Sequence, residues 1–463
     1  MVFLASQFAP SLGTEAQAQA TNGPIFTVQS IMQTSRLLSS VPEGMDPTNY
    51  FITIAPQLLE LIDGNDPDLK KTAAYVIGNG ILGKRAYGAP GTVGHSIFLE
   101  PIFKALTAGL DASSSQWIAA PDEIERDLSE QIQVVEPTIV LAVDRLRTLV
   151  LQPPNPGLVK RVVHPILVPL WGLACYTLEH QNLALHERIL TILQTYFGIS
   201  VGLPPLQKLV DNLLYDGGQT WTYDSDSKNK VLLRKRNTSE TNRNIVRLVD
   251  ILQSRTKLFV SLLGADPSSE ERTADIFLYV SENWLVKPSL NERSMDRLRL
   301  SPEEDNFKNI MQQLISAKVA ETLLDNFKDV LSRRPLRVLE LIKQIIDSEL
   351  NRAYVQSKKT MGTRSGKVSL SSLANIVEPE ETGKEEAAGE TDSAESLPAV
   401  FSLLSTVLAS PDFSISPETL PVLEAIKSRL DDLTPHLPSD LSKPATTSSM
   451  LIEIHLANPE GEI

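Results

Sequence analysis

Apolar residues recur at helical intervals along most of the chain, and this spacing restricts the fold more than any other feature. Ile189, Ile192, Leu193, Tyr196 and Phe197 fall at i, i+3, i+4, i+7 and i+8, which puts them on one side of a helix. The spacing returns in Phe307, Ile310, Met311, Leu314 and Ile315, and again in Val338, Leu341, Ile342 and Ile345. Val400, Leu403, Leu404, Val407 and Leu408 form a further helix, for which Leu423, Ile426, Leu430 and Leu433 supply an antiparallel partner. Only Met450 to Leu456 alternates as a strand would, and it has no partner strand in view.

The reading is therefore all-α, an irregular HEAT/armadillo-like α-solenoid whose helices are joined by proline turns without a strict repeat period. At 463 residues the chain exceeds what one core usually holds, so it forms either several domains or one elongated stack. Residues 1–24 read as a disordered leader, because Pro10 interrupts the apolar start and no basic segment precedes it, as a signal peptide would require. Residues 25–215 make a first helical block, entered through Phe26, Ile31, Leu37 and Leu38. Within it Leu110 to Pro121 reads as a surface loop, Asp122 opens a helix with Glu123 and Glu125 in its first turn, and Pro153, Pro154 and Pro156 set a rigid corner. Val162 to Leu178 is almost wholly apolar despite Pro165 and Pro169, which predicts a buried, kinked helix centred on Trp171.

Residues 216–242, with Gly217, Gly218 and the charged run Lys228 to Arg236, read as a polar loop separating this block from a second one at 243–353. Residues 354–397 turn from basic (Lys358, Lys359, Arg364, Lys367) to acidic (Glu378 through Glu395), a composition that cannot bury a core and reads as a disordered charged linker. A helical hairpin at 398–434 and a flexible tail at 435–463 complete the chain.

Charge and chemistry narrow the function. With 43 Lys and Arg against 57 Asp and Glu the net charge is −14, which argues against general binding of nucleic acid or anionic membrane. No stretch approaches the roughly 18 consecutive apolar residues of a membrane span. Cys175 is the single cysteine, so no internal disulfide forms, and its apolar surroundings mark a buried small hydrophobe rather than a nucleophile. The 6 histidines are scattered without metal or triad spacing, so no metal and no cofactor is expected. Arg234, Lys235 and Arg236 lie near Trp221 and Tyr223, but a short basic run in an acidic chain is more often a solvated loop than an RNA contact.

The stretch from Tyr75 to Gly94 stands apart, with Gly78, Gly80, Gly83, Gly88, Gly91 and Gly94 in what reads as a surface turn between helices. Gly78, Gly83 and Lys84 match the first seven positions of G-x-x-x-x-G-K-[ST], but Arg85 stands where a hydroxyl must hold magnesium. Gly78, Gly80 and Gly83 also match G-x-G-x-x-G, without the strand that pattern needs before it. The third reading is a helix junction. It makes Lys84, Arg85, Tyr87, Gly88, Pro90 and Gly91 a candidate partner-binding turn, or else a joint that lets two helices approach while its cations neutralise carbonyls at a helix C-terminus.

NYFITIAPQLLELID at Asn49 to Asp63, followed by NGILGKRAYGAPGTVG at Asn79 to Gly94, resembles the fungal branch of the RNA polymerase II assembly and nuclear-import factor family, whose animal members are the transport and Golgi organisation proteins. HPILVPLWGLACY at His164 to Tyr176, ADIFLYVSENWL at Ala274 to Leu285 and VFSLLSTVLASPDF at Val400 to Phe413 resemble later segments of that family, in the same order. The resemblance spans most of Tyr50 to Leu433, and the glycine segment is its most specific part. It implies a HEAT-like scaffold, not an enzyme, that binds RNA polymerase II subunits, with assembly chaperones or nucleoporins as further partners. Such a scaffold works in the cytoplasm and accompanies the assembled enzyme to the nucleus. The large C-terminal HEAT region that the family carries after Leu433 is missing here, which reads as a shortened product. Other readings are a different HEAT-type adaptor, such as a co-chaperone for large kinases or a trafficking tether, and a divergent NTPase using Gly78 to Lys84.

Overall fold

The helical spacing of the sequence becomes helix nearly everywhere it occurs. The computed structural model describes residues 28–118, 132–151, 155–200, 202–236, 245–265, 270–285, 302–333, 335–362, 385–411 and 413–457. The chain divides into two units, Met1–Pro267 and Ser268–Ile463. The leader expected at 1–24, the helix expected from Asp122 and the middle of the charged linker, 363–384, lie outside the described residues.

The first unit begins with α1 (Val28–Leu38), α2 (Pro47–Asp63) and α3 (Pro67–Tyr75), the last running on into a π-helix at Val76–Leu82. Short helices come next: α4 (Arg85–Gly88), α5 (Val93–Phe98), α6 (Glu100–Leu106) and α7 (Ala112–Ile118). After β1 (Ile132–Val134) come α8 (Glu136–Leu151), α9 (Pro156–Val163), α10 (Leu167–Glu179), α11 (Leu183–Ile199) and α12 (Pro204–Asp211). β2 (Trp221–Ser225), β3 (Val231–Lys235) and α13 (Ile245–Gly264) close the unit.

α8 is its hub, touching α2, α3, α6, α9 and α11. Its apolar residues Ile139, Val143, Leu146 and Val150 are fully buried, and its Arg145 is buried with them. That guanidinium forks onto Asp63, with Nε to Oδ1 at 2.9 Å and Nη2 to Oδ2 at 2.6 Å, and donates a third bond to the Trp117 carbonyl. A bidentate pair of this kind compensates a buried charge while fixing direction, so it ties α8 to the end of α2 and to α7.

Pro165 halts α9 in a 3-10 turn at His164–Ile166 before α10 begins, since proline removes a donor and clashes with the preceding turn. Val162 to Leu178 is thus kinked and buried, with Trp171 fully enclosed and its indole N–H donating to the Leu213 carbonyl at 3.1 Å. The stretch Pro156–Glu179 is long and apolar enough to cross a membrane by length and composition, yet 72% of its most apolar window is buried inside the protein. Asn182 then caps α11 through Oδ1, which accepts from the Leu185 N–H, while its Nδ2 donates to Glu136.

Residues 216–242 are not simply a polar loop: β1, β3 and β2 form an antiparallel sheet in that order, with Tyr223 opposite Leu233. The connecting turn is built by Asp226, whose Oδ1 accepts from the N–H groups of Lys228 and Lys230 at 2.8 Å, with Asn229 at φ 60°. Nor does this segment separate two blocks, because α13 beyond it belongs to the first unit. Arg255 of α13 is buried there, donating to Glu179 at 2.8 Å and to the Tyr215 carbonyl at 2.9 Å. The Leu110 to Pro121 loop contains α7. In α1 the buried face is Ser30, Thr34 and Ser35, whereas Leu37 is 50% exposed.

In the second unit α14 (Glu270–Leu285) packs on α15 (Pro302–Arg333), and α16 (Pro335–Gly362) comes directly after. α17 (Glu385–Leu408), α18 (Leu420–Leu433) and α19 (Ser439–Ala457) complete it. α15 is kinked at Phe327, which leaves helical conformation at φ −128°, ψ 29°. Its buried line is Ile315, Val319 and Leu323; Ile310 and Leu314, from the expected stripe, are exposed. Among the described residues α18 packs chiefly on α16 and α19, rather than chiefly on α17 as the hairpin expectation had it. The expected linker loses both ends to helix: Tyr354 to Gly362 extends α16, and Glu385 to Leu397 begins α17. The expected flexible tail is largely α19, where Leu441, Ala445, Ser448 and Ile452 are buried at helical spacing, so the alternation at Met450 to Leu456 is incidental.

Candidate functional site

The glycine segment starts from a well-made helix. Pro67 occupies the first turn of α3 and Asp66 caps it, its Oδ1 accepting from the N–H groups of Asp68 at 2.9 Å and Leu69 at 3.1 Å. The chain stays helical through Leu82, widened to π geometry, and Val76, Ile77, Gly78, Gly80, Ile81 and Leu82 are buried. The expected surface turn is therefore confined to the residues from Gly83 onward. π-helical segments are rare and cost hydrogen-bond geometry, so this one marks a place where tertiary contact overrides local preference.

That contact is with α1. A Cβ on Gly80 would stand 2.5 Å from Ser35 Oγ and 3.3 Å from the Ser35 carbonyl and Ser39 Cβ. Glycine on one helix and serines on the other allow close approach, which explains why α1 buries its small residues and turns Leu37 outward. Gly78 to Leu82 of the pattern lie inside a helix preceded by a helix, and only Gly83 and Lys84 leave it, so most of its amides are spent along the segment. This is not the strand, loop and helix geometry that cradles a phosphate.

The six residues of the candidate turn have different settings. Lys84 reaches back, its Nζ donating to the Ser39 carbonyl just past the end of α1 at 2.7 Å and lying 5.9 Å from the Tyr87 ring centre. It thus supplies a cation to the carbonyl end of a helix. Tyr87 packs edge-on against Phe51 of α2 with ring centres 4.9 Å apart. Gly88 is buried against the Leu82 main chain. Arg85 and Pro90 are exposed, and Gly91, exposed beside them at φ +80°, turns the chain toward α5. The geometry brings Lys84, Tyr87 and Gly88 together as a joint and leaves Arg85, Pro90 and Gly91 on the outer rim.

The remaining reactive side chains are placed by ordinary contacts. Burial pushes the Cys175 thiol up to about 12, so it stays protonated. His164 Nδ1 lies 3.1 Å from the Tyr196 hydroxyl, and His180 and His186 meet the carbonyls of Tyr176 and Ala174 at 2.9 Å. Among the described residues, no three His, Cys, Asp or Glu side chains converge as metal ligands would. In the basic run, Arg234 pairs with Asp224 and Arg236 with Asp216, so both charges are compensated within the unit.

His95, next to Gly94 on α5, differs. Its Nδ1 is buried without a hydrogen-bond partner among the described residues, and its ring meets Phe103 edge-on. Burial lowers its pKa from 6.5, with Arg161 acting the same way and Glu100 opposing. The unfolded chain then binds the proton more readily than the folded one. Stability conferred by neutral His95 is complete above about pH 6.5 and falls as pH drops through the lowered folded value. Urea midpoints measured from pH 7.5 down to 5 are expected to decline, and the His95→Leu variant to decline less over the same range.

No family model matches this sequence, and no curated protein matches it.

Proposed function

We propose that the protein is a non-catalytic helical scaffold of HEAT-like character that binds RNA polymerase II subunits and assists assembly and nuclear import of that enzyme. The observation that carries the reading is the ordered series of resembling segments from Asn49 to Phe413, anchored by NGILGKRAYGAPGTVG. Consecutive helices that pack on one another, α10 on α11 and α14 on α15, are compatible with a solenoid of helix pairs. Within this reading the partner meets the rim of the glycine joint at Arg85, Pro90 and Gly91, while Lys84, Tyr87 and Gly88 hold that rim in place. The protein acts in the cytoplasm, with assembly chaperones or nucleoporins as further partners.

The test is capture from cytoplasmic extract with the tagged full chain, followed by mass spectrometry. Polymerase II subunits are expected in the eluate. Arg85→Glu is expected to reduce them about tenfold, equivalent to ~1.4 kcal/mol, without changing the melting temperature, since Arg85 is exposed. Equal recovery by both chains would keep the function and make the joint purely structural. An eluate without polymerase would overturn the reading in favour of a different adaptor.

A further inference from the structure

The second unit contains a cleft of about 320 Å3 that the scaffold reading does not use. It is lined by Ala274, Asp275 and Leu278 of α14, by Pro335, Leu336 and Val338 of α16, and by Ser416 and Glu418 of the segment between α17 and α18. The volume lies at the lower end of the ~300–1,000 Å3 in which ligand sites fall. It is too small for a folded element and sufficient for a pair of side chains.

Ion pairs and a reciprocal cap lie along its walls. Arg333 pairs with Glu270 at 3.0 Å and Arg337 with Asp275 at 2.6 Å, so two bridges link α14 to α15 and α16. Ser416 and Thr419 cap each other: the Ser416 N–H donates to Thr419 Oγ1 at 2.8 Å and the Thr419 N–H to Ser416 Oγ at 3.2 Å.

Charge then selects the ligand. Both arginines are engaged by carboxylates of α14, whereas Glu418, also lining the cleft, is exposed and has no ion-pair partner among the described residues. Among the lining residues Glu271, Asp275 and Glu418 outnumber Arg333 and Arg337, so the cleft is acidic, and Leu336 and Val338 supply part of its apolar lining. We infer that this cleft is a docking site for a short peptide segment of a partner protein in which one basic side chain, held by Glu418, flanks an apolar side chain seated between Leu278 and Val338. Occupancy of the cleft does not depend on the polymerase reading, and its own measurement decides it.

The probes are acetyl-Leu-Arg-Leu-amide and acetyl-Leu-Glu-Leu-amide, titrated calorimetrically into the full chain. The arginine peptide is expected to bind, and the glutamate peptide to bind at least about tenfold more weakly. Glu418→Gln should weaken the arginine peptide about threefold, as loss of one partly exposed charge pair does. Ser414→Trp, a bulky group at the exposed rim, should abolish binding, and neither variant should shift the melting temperature. Equal affinity for the two peptides, preference for glutamate, no binding of either, or binding indifferent to Ser414→Trp would each overturn the assignment.

Discussion

Trp171→Ala is expected to lower the stability of the first unit by about 4 kcal/mol, the cost of deleting a large aromatic side chain from a core that cannot collapse around the void. Trp171 is fully buried and packs edge-on against Phe259 of α13 with ring centres 6.4 Å apart. Its indole N–H holds the Leu213 carbonyl, and Arg255 donates to the neighbouring Tyr215 carbonyl, so one bulky ring and one guanidinium together fasten α10, α13 and the turn after α12. Trp171→Phe separates the two contributions. It keeps most of the apolar contact and loses the hydrogen bond, so its cost should fall to about 1–2 kcal/mol. Both values are read from urea unfolding followed by far-UV circular dichroism. A loss below about 1 kcal/mol for the alanine variant would mean that this junction is not the core of the unit.

The sequence announces such core positions plainly where a single helix face is wide and apolar. Ile189 to Phe197, Val338 to Ile345 and Val400 to Leu408 are buried along the lines their spacing defines. It conceals elements whose partners decide the outcome. Trp221 to Tyr223 and Val231 to Leu233 are strand-like runs hidden among Lys228, Lys230, Arg234 and Lys235, and pairing between them, not composition, makes the hairpin. α1 is a sharper case, because a helix that meets a glycine buries what is small and not what is apolar. For the same reason the glycine segment was legible as a place of close approach, while its occupant was not. Ligand phosphate and neighbouring backbone make the same demand on a glycine, and only the fold distinguishes them.

Gly88→Ala tests that distinction at a residue placed in the candidate turn. A Cβ there would lie 2.6 Å from both the Cα and the carbonyl carbon of Leu82, and closer still to its oxygen. All three atoms are main chain, so no rotamer change relieves the overlap, and the end of the π-helix must move relative to α4. Alanine in a helix gains at most about 1 kcal/mol over glycine, whereas overpacking a close contact costs up to about 3 kcal/mol or more, so the net effect is destabilising. We expect a loss of about 2–3 kcal/mol in urea unfolding. Gly80→Ala is the control, since the atom nearest its Cβ is Ser35 Oγ, the end of a side chain that can rotate or be removed. It should cost about 1 kcal/mol and be largely restored by Ser35→Ala, a coupling that a double-mutant cycle measures directly. Gly88→Ala should not be restored by Ser35→Ala. If Gly88→Ala instead unfolds like the parent and, under the proposed function, loses capture of polymerase subunits, Gly88 is a contact residue and the partner itself approaches the backbone there.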